Sequence, residues 1–213
     1  METTIDILFK NGAFAACVKP PGVHSQNEGA EDMVRLLSDR LGCKVYPVHR
    51  LDVETGGVMI FALSPSSAAG LSELIVRGGL SKEYLAVTDG VPAEESGVYE
   101  DLLFRDSRRN KSFVVDRERK GVRRAKLSYE TLGVNGGKAL VRVELCTGRT
   151  HQIRVQFASR GTPLLGDRKY GSRERGCKTA LWSRRVSFEY VGEEYAFESM
   201  PDVSAYPWSM FSF

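Results

Sequence analysis

The chain has 213 residues, 42% apolar and 27% charged, with 30 Lys and Arg against 27 Asp and Glu and a formal charge of +3. That length suits one large domain or two small ones, and the composition excludes a disordered or fibrous protein. The longest apolar run, Val58 to Leu63, falls far short of the roughly 20 residues a membrane-spanning helix requires.

The opening METTIDILFK has no basic segment followed by an apolar one, so no signal peptide is expected. Ile5–Phe9 and Phe14–Val18 read as short strands around an Asn11-Gly12 turn. Lys19-Pro20-Pro21-Gly22 breaks regular structure. Asp32 to Leu41 carries apolar residues at helical spacing and closes on Gly42. Val45–Val48 and Val58–Leu63 are predicted strands flanking the HRLDVETGG stretch. Ser64 caps a helix with Pro65 at its first position, running to Arg77. Strands follow at Lys82–Thr88, in the basic segment beyond Arg105, at Leu127–Leu132 and at Ala139–Cys146. Thr150–Ser159 is a predicted helix, and Ala180–Tyr190 with Glu194–Glu198 a closing hairpin around Gly192. Successive strands with few helices predict an α+β fold with a mixed, largely antiparallel sheet. No linker divides the chain, so a single domain over 1–213 is expected.

The near-neutral total hides a strong local asymmetry. Residues 105–126 carry ten basic and three acidic side chains, and residues 149–178 carry eight and two. The remainder has 12 basic and 22 acidic groups. Charges more than about 10 Å away are screened, so each basic stretch attracts phosphate regardless of the total. The alternative is a pair of solvated faces. Cys17, Cys43, Cys146 and Cys177, with His24, His49 and His151, show no metal-finger spacing. Reduced thiols, no metal and a cytoplasmic location are expected.

Three stretches could carry chemistry. Asp52 stands on a tight turn between apolar strands, where it either caps its own backbone or presents a carboxylate to a cleft. Tyr84, in SKEYLAV, is either core packing or a ring that stacks on a base. In TGRTHQIRVQ, Arg149 lies at the mouth of the predicted helix, where backbone N–H groups suit a phosphate. Arg154, one turn in, needs a carboxylate partner if it is buried, and Asp52 is a candidate.

Together HRLD with its Thr-Gly turn, KEYLAV, and TGRTHQIRV followed by GTPLLGDRKYG resemble the RluA-type pseudouridine synthases over about residues 13–200. That resemblance implies cofactor-free isomerisation of uridine in ribosomal or transfer RNA. It implies a mixed sheet crossed by a catalytic cleft. It implies Asp52 as the catalytic carboxylate, Tyr84 against the target base, Arg154 paired with the carboxylate, and Arg50 filling the stack when the base flips out. Flipping costs a few kcal/mol of stacking, which these side chains offset. A nucleophilic role requires Asp52 to be ionised, with Arg154 compensating its charge and fixing its orientation. Many relatives carry an S4-type domain before this core, and the chain is expected to lack one. RNA contacts are then expected from Arg50 and Arg149 and from Arg108, Arg109, Lys111, Arg123 and Arg124 of the first basic stretch. Arg168, Lys169, Arg173, Arg175 and Lys178 lie behind the third motif. A monomer bound to an RNA stem-loop is expected, with no membrane partner.

The sequence departs from the family pattern at Gly56, Leu127, Gln156 and Thr162. Altered RNA contacts are expected near 156–162. Two other readings compete: an inactive RNA-binding protein in RNA folding or ribosome assembly, which the intact Asp52, Tyr84 and Arg154 oppose, and a hydrolase using Asp52 as general base, which leaves the ordered motifs unexplained.

Overall fold

Residues 5–26 and 32–213 are described by the computed structural model. The chain forms two units, Met1–Lys82 with Trp182–Pro201, and Glu83–Leu181 with Asp202–Phe213.

The first unit begins with β1 (Asp6–Lys10) and β2 (Phe14–Lys19), paired antiparallel. The turn between them is set by Asn11, whose Oδ1 accepts the N–H groups of Ala13 and Phe14 at 2.8 and 2.9 Å. α1 (Met33–Leu41) is capped by Asp32, which accepts the Arg35 N–H, and closes on a left-handed Gly42. β3 is only Tyr46–Pro47, and β4 runs Gly56–Ala62 with every residue buried. β4 pairs with β2 and, at its end, with β3, both antiparallel. At its start it pairs in parallel with β10 (Leu181–Tyr190), which turns back into β11 (Glu193–Glu198). α2 (Pro65–Val76) is capped by Ser64 with Pro65 in the first turn. Its Leu71 joins a core with Phe14, Val58, Ile60, Val186 and Phe188.

The second unit is an antiparallel array. β5 (Ser81–Asp89), β9 (Lys138–Leu145), β8 (Val122–Asn135), β6 (Ser96–Asp106) and β7 (Lys111–Val115) lie side by side in that order. β8 is a single 14-residue strand that kinks at a bulge between Thr131 and Gly133, so the predicted Leu127–Leu132 strand continues without a break from the end of the basic segment. Nearly all of β6, residues 96–104, lies outside the predicted strands, because only Tyr99 and Leu103 are buried along it and the sequence shows no clear alternation. α3 spans Gln152–Ala158 and packs Val155 against Leu103 and Ala125. Its Phe157 meets Tyr99 and Tyr129 at centroid distances of 5.2 and 5.5 Å. The fold class is α+β with mixed strand pairing, as the sequence predicts.

Candidate active site

Asp52 lies in the four-residue turn that enters β4, closed by a 3.0 Å bond from the Thr55 N–H to the Asp52 carbonyl. Its flanks are unusually well held. Lys19 is fully buried, and its ammonium donates to the carbonyls of Pro20, Val23 and Val53 at 3.0, 2.7 and 2.9 Å. The Gly22 N–H donates to the same Val53 carbonyl. On the other side of Asp52, Ser25 Oγ donates to the Leu51 carbonyl and accepts the Leu51 N–H, at 2.8 and 3.0 Å. The residues before and after the half-buried carboxylate are thus tied to the Lys19–Ser25 loop, so the turn is part of a rigid scaffold. Lys19 was read from sequence only as the start of a chain break. A lysine ending an apolar strand and followed by Pro-Pro-Gly is the signal that could have found it.

Gly56, a departure from the family pattern, has a local cause. A Cβ there would stand 2.3 Å from the Trp182 ring and 3.0 Å from Pro21. The Trp182 ring, held by a bond from its Nε1 to the Ser199 carbonyl, occupies the room a serine would need. Gly57 has φ +113, and a Cβ would meet the Ser183 carbonyl at 2.2 Å, so the parallel pairing with β10 requires glycine. His49 is locked as well: its Nε2 accepts the Ile60 N–H at 3.0 Å. Burial, and then the charge of Lys82, pulls its pKa down to about 3, so the ring is neutral. Burial also lowers the pKa of Lys82. Arg50 is exposed.

In the second unit Tyr84 is buried on β5, in register with Val143 of β9. Arg154 is 6% exposed. Its Nε and Nη2 donate to the two carboxylate oxygens of Asp167 at 2.6 and 2.8 Å, a bidentate pair whose carboxylate is itself buried. Asp167 escaped the sequence reading, which sought a partner for Arg154 only at Asp52. The turn that carries Asp167 is tightly built: Gly166 has φ +76, and a Cβ would strike the Lys178 carbonyl at 2.4 Å.

The helix behind Arg149 begins at Gln152, not Thr150. Gln152 Oε1 takes the Arg149 N–H and the Thr147 hydroxyl, and its Nε2 donates to the Lys126 carbonyl. The first-turn residues are buried and α3 has only seven residues, so its N-terminus offers no phosphate site. Arg149 instead donates through Nε to the Arg124 carbonyl and leaves its head exposed beside β8. Gln156 and Thr162, two of the departures from the family pattern, are buried. Gln156 donates to the Asp101 carboxylate and the Tyr99 carbonyl, and Thr162 donates to the Phe157 carbonyl. Leu127 is likewise fully buried.

The basic stretch 105–126 covers the β6–β7 turn, β7, and the loop into β8. Arg108 and Arg109 sit on the turn, their N–H groups accepted by Asp106 Oδ1. Lys111 donates to the Lys169 carbonyl at 2.6 Å. Arg123 and Arg124 are exposed on β8, with Arg124 bonded twice to Glu118. Part of the counted charge is therefore internally compensated. Among the described residues no group of three or more His, Cys, Asp or Glu is placed to hold a metal, and no helix is long and apolar enough to cross a membrane.

Residues 13–159 match the family model described as RNA pseudouridylate synthase. The chain belongs to that family. An uncharacterized RNA pseudouridine synthase of Zymomonas mobilis is 35% identical over 172 residues, 78% of each chain. The tRNA pseudouridine synthase C of Haemophilus ducreyi is 33% identical over 78% of this chain and 74% of its own. Among solved structures, human RNA pseudouridylate synthase domain containing 1 superposes with a TM-score of 0.81 at 23% identity, covering 95% of this chain and 87% of that one. The α+β fold is therefore the pseudouridine synthase fold, and the chain is an RNA pseudouridine synthase, an isomerase.

Proposed function

We propose that this synthase converts one uridine of an RNA stem-loop to pseudouridine, with Asp52 as the catalytic carboxylate. The observation that carries this reading is the turn itself. A half-buried aspartate is flanked on both sides by residues whose backbone is tied down by buried Lys19 and Ser25. Such anchoring suits a group that must meet a flipped nucleotide in one geometry. Tyr84 supplies the ring that lies against the uracil, Arg154 the cation that serves the carboxylate, and Arg50 the side chain that fills the vacated stack. The reaction breaks N1–C1′, turns the uracil and joins C5 to C1′, with the C5 proton released. Extrusion, position and charge are what the protein contributes.

Transfer RNA is the substrate class this reading favours, supported by the name of the Haemophilus ducreyi relative. The exposed cations of 105–126, with Arg149, would position its phosphates without reading sequence. The test is tritium release from transcripts labelled at uracil C5. The wild-type protein is expected to release tritium. Asp52→Asn is expected to abolish release while keeping RNA affinity within about 1 kcal/mol, because a carboxylate makes no phosphate contact. Normal turnover by that variant would remove Asp52 from the chemistry.

A further inference from the structure

Tyr170 joins two regions that the proposed reaction uses separately. Its hydroxyl accepts the Ser112 N–H of β7 at 2.8 Å and bonds His151 Nδ1 at 2.9 Å. Its ring lies 5.0 Å from Lys111 Nζ and 5.2 Å from the guanidinium carbon of Arg154, both measured to the ring centroid. Ser112 Oγ adds a 2.6 Å bond to the Thr150 carbonyl. The neighbouring lysines cross over. Lys111 donates to the Lys169 carbonyl and Lys169 to the Asn110 carbonyl, at 2.6 and 3.1 Å. The basic β6–β7 turn is thus stapled to the Arg168–Tyr170 turn at several points.

The other end of this connection is the arginine. His151 is 9% exposed and has φ 55, a left-handed conformation that a residue with a Cβ holds only under support. It immediately precedes α3 and stands three residues before Arg154. Asp167, which clamps the guanidinium, is joined to Tyr170 by the bond from the Tyr170 N–H to the Asp167 carbonyl at 3.1 Å. One residue therefore bears on Arg154 through its ring, through the start of the helix, and through the turn that carries Asp167.

We propose that Tyr170 is a positioning residue that couples the basic β6–β7 turn to Arg154, so that the turn which meets RNA phosphate also sets the guanidinium. This rests on the functional reading above in giving Arg154 a part in the reaction. The coupling itself is a property of the fold and can be read without turnover.

The experiment combines single-turnover tritium release and RNA affinity with the Nε–H resonance of Arg154 in labelled protein. Tyr170→Phe keeps the ring and removes the hydroxyl bonds. It is expected to slow the single-turnover step about five- to tenfold, the scale of a lost hydrogen bond, with RNA affinity within about twofold. Tyr170→Leu is expected to slow it further, so that Phe acts as partial rescue. Lys111→Met is expected to shift the Arg154 resonance in wild-type protein and to leave it unmoved when Tyr170 is Leu. Equal Lys111→Met shifts with and without Tyr170 would overturn the coupling, as would a wild-type rate in both Tyr170 variants that keep wild-type melting. Should Tyr170→Leu fail to fold, Tyr170→Phe, which keeps the ring and loses the hydroxyl bonds, is expected to reduce the Lys111→Met shift, and an undiminished shift would overturn the coupling through the hydroxyl. Silence of the wild-type enzyme with the resonance coupling intact would sink the reaction assigned above and leave the coupling standing.

Discussion

Lys19 and Arg154 show two ways of burying a cation. Lys19 spreads its charge over three backbone carbonyls, and Arg154 meets a carboxylate in a fork. The consequences of mutation differ accordingly. Asp167→Asn removes the charge from one side of this buried fork, and breaking a buried ion pair by removing one partner costs up to about 3–5 kcal/mol. Urea unfolding should show a loss of this order, and a variant as stable as wild type would mean that the pair is not what holds Arg154 in place. Lys19→Met removes one donor from each of three carbonyls. An unsatisfied buried polar group costs about 1–3 kcal/mol; the Val53 and Pro20 carbonyls keep the Gly22 and Val23 N–H groups. Release of tritium should fall with the loss of rigidity at Asp52 while RNA affinity persists. Undiminished turnover would show that the Asp52 turn holds its shape without the lysine.

At the scale of elements, the decisive constraints lie where strands meet. β4 and β10 run parallel at Trp182 and Ser183, opposite Gly56 and Gly57. The Trp182 ring and Ser183 backbone fill the space that side chains at 56 and 57 would take. Gly56→Ser is therefore expected to destabilise the protein by about 1–3 kcal/mol through overpacking. Adding Trp182→Leu should restore part of that loss, and a strictly additive double variant would rule out the ring as the cause. The β10–β11 hairpin carries the opposite opportunity. Its two-residue turn is Val191-Gly192, with φ of 55 and 77, and Val191 is 86% exposed. Positive φ at both positions favours Asn-Gly, and a β-branched residue there is strained. Val191→Asn should raise stability by about 1 kcal/mol in thermal unfolding; no gain would show that the strain is relieved by local relaxation.

For the whole molecule, charge and protonation set how the protein responds to its medium. His49 binds its proton in the folded state only near pH 3, against about 6.5 when unfolded. Between those values the unfolded chain holds the extra proton, so this group destabilises the fold progressively as pH falls below about 6.5. Its contribution is fully favourable above that pH. His49→Gln should reduce the slope of stability against pH between about 4 and 6 by up to about one proton. An unchanged slope would remove His49 as a source of acid sensitivity. The basic segments act through salt. Replacing Arg105, Arg108 and Arg109 with Gln should flatten the logarithmic salt dependence of RNA binding by up to about 0.7 for each phosphate left without its cation. An unaltered slope would take the β6–β7 turn out of the RNA path. Arg124, tied to Glu118, and Arg109, paired with Asp106, should contribute less than Arg105 and Arg108.

Local chemistry made much of this fold legible. Asn11, Asp32, Gly42, Ser64 and Pro65 act within a few residues of where they stand, so turns and helix ends could be read along the chain. Asp52, Tyr84 and Arg154 stand out only through the family resemblance that the three ordered motifs carry, because local chemistry alone leaves a turn cap and a core tyrosine as alternatives. The amino-acid sequence by itself also determined that a +3 balance conceals two strongly basic stretches. The tertiary structure alone decided which of those cations are compensated, as Arg124 is by Glu118 and Arg154 by Asp167. It also decided that Lys19 turns inward, that Gly56 yields its space to a tryptophan 126 residues away in sequence, and that Tyr170 links β7 to α3. Each of these depends on partners distant along the chain. A buried charge or ring takes its meaning from what surrounds it in space, and linear order does not carry that information.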